Sequence, residues 1–267
     1  MKKSICIYSK LVRLKLCDSI VYRSSFFLGI IGQWLSSGVN FITMYILVHS
    51  FKNLVGWNRH EMIFLYAFYL LSYSICGMFF YNSCTQLERK IRTGELDSIL
   101  IKPTSSFLYA VFSEINIGYV SHIALSLLVL IYSAIKLGLV WSVSKIVLGI
   151  LMLLGSIMIQ NSIYVFASMS SFYIHNDNPI MNLIITELRN FIKYPLELYG
   201  SFIQFVFTIL PFGFINYYPV IILLNKKSSV AEGKNLGYYT PIIGFVLFSL
   251  SVLFWNKCIS SYQSTGS

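Results

Sequence analysis

Acidic residues are scarce in this sequence: ten Asp and Glu among 267 residues, against twenty Lys and Arg, with only 11% of positions charged. A soluble domain carries about 25% charge, so a water-facing surface of ordinary extent is excluded. Catalytic signatures are missing as well. No G-x-x-x-x-G-K-[ST] phosphate loop occurs, since Gly233-Lys234 lacks both the upstream glycine and the following hydroxyl residue. The absence of H-E-x-x-H, of histidine pairs at helical spacing and of G-x-S-x-G argues against a metal enzyme or an intramembrane hydrolase. The five cysteines, Cys6, Cys17, Cys76, Cys84 and Cys258, have neither C-x-x-C nor metal spacing, which leaves no disulfide framework. No linker, low-complexity tract or internal repeat divides the chain, which reads as one membrane domain.

Apolar length fills the space that charge leaves empty. The chain is 56% apolar and 16% aromatic, with a mean hydropathy of +0.70, the composition of an all-α polytopic membrane protein. The net charge of +10 is spread over segment ends with no basic face, so it fits topology and anionic headgroups rather than nucleic acid. Lys10, Arg13 and Lys15 interrupt any signal-peptide core, and residues 1–25 read instead as an interfacial helix with Ile5, Tyr8, Leu11 and Leu14 at three-residue steps.

Six spans are expected. Phe26–Val48, Met62–Tyr81, Phe107–Ile135 and Ile146–Ile174 supply four; a fifth ends near Pro211 and Pro241–Trp255 is the last. Between the fifth and sixth, Pro211 and Pro219 predict a kinked or re-entrant piece, because each proline removes a donor where backbone bonds must be met internally. The stretch His175–Glu197, with Glu187, Arg189 and Lys193, reads as an amphipathic helix back in water. With the N-terminus inside, 13 Lys and Arg fall on the cytoplasmic side and 7 outside, which sets the orientation.

Charge is concentrated in Leu87–Pro103, LERKIRTGELDSILIKP, where seven charged residues fall within fifteen positions. Thr93-Gly94 breaks this island, Glu95 and Asp97 suit the positive end of a second short helix, Lys102 its negative end, and Pro103 stops it. Leu96, Ile99 and Leu100 share one face. The island reads either as a docking surface for a soluble partner or as a solvated loop. Within the spans, Glu114 and His122 lie about two turns apart and offer a proton relay; alternatively, they are a headgroup-level acid and a packing histidine. Gln33, Asn40, Gln160, Asn161, Gln204 and Asn216 read as interhelical hydrogen-bond partners rather than ligands.

Three stretches resemble one family. The island's G-E-L-D-x-x-L-x-K-P, the Y-P-L followed by L-P-F-x-F-x-N-Y-Y-P, and the terminal F-W-x(6)-Y-Q-S-T-G-S are similar to six-span permeases of the ABC-2 exporter superfamily, more narrowly its two-permease branch. The resemblance implies a bacterial cytoplasmic membrane protein with both termini inside. It implies a second, non-identical permease and two copies of a separate ATPase that binds ATP and Mg, so that this chain holds no cofactor. It gives Gly94, Glu95, Leu96, Asp97, Ile99, Leu100, Lys102 and Pro103 the role of a coupling helix, and residues 1–25 that of an interfacial elbow. The segment Pro211, Phe212, Phe214, Asn216, Tyr217, Tyr218 and Pro219 would shape the outer pathway. An apolar bundle with few buried charges fits peptides, lipids or amphipathic drugs as cargo. Two rival readings are a membrane-embedded sequestration or immunity protein and an ion-coupled carrier using Glu114 and His122.

Overall fold

The longest helices lie in charge-poor stretches. The computed structural model describes residues 2–21, 23–50, 56–174, 178–226, 230 and 235–263, which are helical with no β-strand among them. The connector residues 51–55, 175–177, 227–229 and 231–234 and the terminal 264–267 lie outside the described residues.

The N-terminal helix α1 (Lys2–Val21) is followed by α2 (Arg23–Ser50), which holds the first expected span. The backbone N–H of Asn58 donates to Glu61 Oε2 at 2.9 Å and so caps α3 (Arg59–Cys76). From there the helix runs through one π turn, Gly77–Tyr81, into α4 (Asn82–Thr85) and α5 (Leu87–Arg92). Gly94 then takes a left-handed φ of 73°, which glycine adopts without a Cβ penalty, and α6 (Glu95–Leu100) starts in a new direction. Next come α7 (Ser106–Ser113), α8 (Tyr119–Lys136) and α9 (Val143–Met169). A second π-containing helix consists of α10 (Pro179–Asn182), the turn Leu183–Leu188 and α11 (Arg189–Ile192). Last are α12 (Ser201–Ile209), α13 (Tyr217–Leu224) and α14 (Thr240–Ser260).

Four of these stretches are long and apolar enough to cross a membrane: Arg59–Arg92, Tyr119–Lys136, Val143–Phe172 and Leu236–Ser260. The break at Glu114–Gly118 splits the long third segment, and the membrane-length part begins at Tyr119. Its cause is visible in a backbone bond, since the Asn116 N–H donates at 2.9 Å to the carbonyl of Met78, inside the π turn of the preceding helix. A π turn leaves carbonyls out of register, free to accept from outside.

The fifth segment departs from the sequence reading. The helix α12 has nine residues and spans about 14 Å at 1.5 Å per residue, too short for a hydrocarbon core of about 30 Å. Three contacts instead lay residues 178–197 antiparallel along the whole of α3–α5. The Asn178 N–H donates to Glu88 at the island end, Arg189 Nη1 donates to the Tyr73 hydroxyl midway, and Glu197 accepts from Trp57 Nε1 at the far end. Asn178 Oδ1 caps the backbone N–H groups of Ile180 and Met181, with Pro179 in the first turn, so Asn178-Pro179 starts this helix. The residues read as a water-exposed helix are therefore packed against the core of the bundle. Residues 201–224 form a short hairpin beside them, and Lys226, just beyond it, is 2.6 Å from Glu61 at the start of α3. The kinked-segment side chains Phe212, Phe214, Asn216, Tyr217 and Tyr218 are buried at the far end of the bundle.

The helices α9 and α14 approach each other closely. A Cβ on Gly155 would meet the Thr240 carbonyl oxygen at 2.6 Å, and one on Gly244 would strike the backbone of Gly155. Small residues let helices approach where lipid offers no hydrophobic drive for association. Gly155→Val should therefore cost about 1–3 kcal/mol through forced separation, read as a lower melting temperature in detergent; an unchanged melting temperature would disprove this close approach.

Candidate functional site

Two places in the bundle concentrate polar chemistry. The first is a cavity of about 200 Å³ beside α3–α5, between the Glu61–Lys226 ion pair at one end and the Lys90–Glu114 pair at the other. From α2 come Gln33, Ser36, Ser37 and Asn40; from α3, Tyr66, Tyr69 and Tyr73. The first turn of α8 adds Tyr119 and His122, and the fifth segment adds Arg189 and Lys193. Gly77 permits this closure, because a Cβ there would lie 2.5 Å from the Tyr119 ring.

The electrostatics are one-sided. Arg189 lies over the Tyr73 ring at 4.8 Å, and its Nη1 donates to the Tyr73 hydroxyl at 2.6 Å, while its buried Nε has no hydrogen-bond partner. Lys193 Nζ donates to Asn40 Oδ1 at 3.2 Å and to Asn190 Oδ1 at 3.0 Å. Ser37 and the Nδ1 of His122 are 3.1 Å apart. Two half-buried cations thus line a half-open cavity midway along the bundle, and no carboxylate borders it among the described residues.

The second place is the island. Leu96 and Ile99 point into the bundle, in one buried cluster with Leu87, Ile91, Met181 and Trp255. The sequence reading offered this apolar face to a partner; the structure gives it to the bundle, because α6 lies across α5 and α7, whose own apolar residues need cover. What α6 presents to solvent is Glu95, Ser98, Ile101, Lys102 and Pro103, with Ile101 79% exposed. Arg89 and Glu95 are 2.6 Å apart, both half exposed, so the pair contributes little. Gly94, Asp97 and Leu100 are of intermediate exposure. Tyr262, past the end of α14, sits beside Asp97; partial burial first, then the Asp97 carboxylate, raise its phenol above the usual range.

The other expected site residues are scattered. Glu114 sits in the break before α8 and is 2.6 Å from Lys90, whereas His122 faces the cavity. The two-turn spacing fails because no continuous helix connects them. Gln160 and Asn161 are buried in α9, and neither Gln160 Oε1 nor Asn161 Oδ1 has a hydrogen-bond partner among the described residues. Sequence reasoning missed the tyrosine cluster and the inward course of Arg189 and Lys193. The available signal was Asn178-Pro179, a helix start, followed by a largely apolar run whose charges are Glu187, Arg189 and Lys193.

Membrane-length apolar helices, a polar cavity midway along the bundle and a charged knob at one end are the architecture of a multi-pass membrane protein. The chain belongs to a known family of this kind: residues 35–266 match the family described as ABC-2 family transporter protein. The chain is therefore a permease component of an ABC transporter, a class that works with an ABC ATPase. Comparison with curated proteins and with solved structures gave no match.

Proposed function

We propose that this chain is one permease subunit of an ATP-driven exporter in the bacterial cytoplasmic membrane. The six crossings are α2, α3–α5, α8, α9, residues 178–197 and α14, with the island and both termini in the cytoplasm. The observation that carries the reading is the build of α6: buried Leu96 and Ile99 anchor it, while Ile101 stands out beside Lys102 and Pro103. A short helix fixed to the bundle by one face, polar at Glu95 and Ser98 on the other and followed by the exposed Ile101, is suited to entering a groove on an ATPase and transmitting its closure. Two copies of that ATPase hold ATP and Mg and supply the energy.

Tyr8 stacks on Phe112 of α7 at 5.1 Å, which supports placing α1 at the island end, lying on headgroups as an elbow with exposed Leu14 and Leu16. A second, sibling permease would cover the exposed face of the fifth crossing, where Glu187 and Asn190 cannot face lipid tails. The kinked hairpin then braces the outer end of the pathway. The cargo is an amphipathic molecule moved outward as the two permeases alternate between packings.

Topology gives a direct test. In a variant with Cys6 and Cys17 replaced by Ser, Ser98→Cys should react with a membrane-impermeant maleimide in inside-out vesicles and not in right-side-out ones. Reaction from the exterior would refute the orientation. A stoichiometric ATPase should also co-purify with the tagged chain, and its loss on mild detergent extraction of a cross-linked sample would favour sequestration instead.

A further inference from the structure

We infer that the mid-depth cavity is a binding site for the anionic headgroup, phosphate or carboxylate, of an amphiphile. The inference rests on the permease reading only for naming that amphiphile as cargo. Arg189 is permanently charged, and Lys193 sits one helical turn further on the same segment. Charge at this depth persists when it is paired, and every partner found for these two groups is neutral: the Tyr73 hydroxyl, Asn40 and Asn190. Those neutral contacts orient the cations without neutralising them.

A guanidinium oriented by the Tyr73 hydroxyl favours an oxyanion, and an ammonium adds a point charge to the same ligand. Ser37 and His122, paired with each other, furnish further polar groups on the opposite wall. Size restricts the occupant. About 200 Å³ accommodates a head with a few carbons but not a whole lipid, so the remainder of the molecule lies outside among apolar surfaces. An apolar tail is also what would carry a charge to this depth.

The test uses the purified full-length chain in a neutral maltoside, without ATPase, and follows melting by tryptophan fluorescence. The probes are dioctanoyl phosphatidylglycerol, decanoate, dioctanoyl phosphatidylcholine and inorganic phosphate. Saturable stabilisation by phosphatidylglycerol or by decanoate is expected; the first alone assigns the site to a phospholipid head, the second alone to a carboxylic cargo, and either supports the inference. Inorganic phosphate should bind at least about tenfold more weakly, for want of a tail. Lys193→Gln and Arg189→Lys, the latter keeping charge but losing the fork, should each weaken binding about tenfold, read as the probe-induced shift from each variant's own melting temperature. Equal stabilisation by phosphatidylcholine, or wild-type affinity in both variants, overturns the inference. So does a Glu187→Gln chain that turns monomeric and gains affinity, since a second copy's carboxylate would then be the native occupant. Because no ATPase is present, failure here leaves the coupling experiments untouched, and failure of coupling leaves this binding intact.

Discussion

Ile101→Asp should reduce cargo-stimulated ATP turnover of the assembled transporter to the basal rate while leaving the permease folded. Ile101 is 79% exposed, so its replacement removes no packing within the chain, and the free permease should melt as the wild type does. In the complex the same side chain would be covered by the ATPase. Burying an isoleucine contributes about 1.5–3 kcal/mol, and a carboxylate in its place adds the cost of an unpaired charge in a closed groove. A loss of 2 kcal/mol or more is what a central interface residue gives, equivalent to about thirtyfold in affinity. Leu96→Ala provides the contrasting case. Leu96 is fully buried against α5 and α7, and truncation should cost about 2–5 kcal/mol of permease stability. If Ile101→Asp melts early, or if it retains stimulated turnover, the outward face of α6 is not the contact.

The contrast between these two residues marks how far the sequence could be read. That residues 95–100 form a helix follows from a glycine before it, acids in its first turn and a proline beyond it. Which way its apolar face points depends on Leu87, Ile91, Met181 and Trp255, contributed by separate segments, and no local pattern contains that. The four long spans were legible because charge-free runs of that length have few alternatives to a membrane helix. Residues 178–197 were not, because a one-dimensional reading assigns Arg189 and Lys193 to water. Their position becomes intelligible only when Tyr66, Tyr69 and Tyr73 from one helix and Tyr119 from another assemble a polar interior around them. The π turns at Gly77–Tyr81 and Leu183–Leu188 were equally invisible, although both border the cavity-lining residues. Tertiary context, not composition, decided each of these.

Breaking the Lys90–Glu114 pair should have the largest effect on stability of any single change considered. The two side chains are 2.6 Å apart and only 7% and 17% exposed, where α5 meets the break before α8. Glu114→Leu would leave the lysine buried without a counter-charge, a loss of about 3–5 kcal/mol, whereas the double variant Lys90→Met, Glu114→Leu should return to within about 1 kcal/mol of the wild type. Melting of the four proteins in detergent gives the cycle directly. The same series separates two roles for Glu114. A proton-relay carboxylate would fail in uptake driven by a pH gradient when its charge is removed, whatever happens to Lys90. A structural partner would be rescued by the second substitution, in stability and in ATP-driven export together. Rescue is expected, because the pair ties the start of α8, with Tyr119 and His122 at the cavity, to the helix that carries the island. An unchanged melting temperature in Glu114→Leu would mean that water reaches Lys90 and that this lashing does not hold.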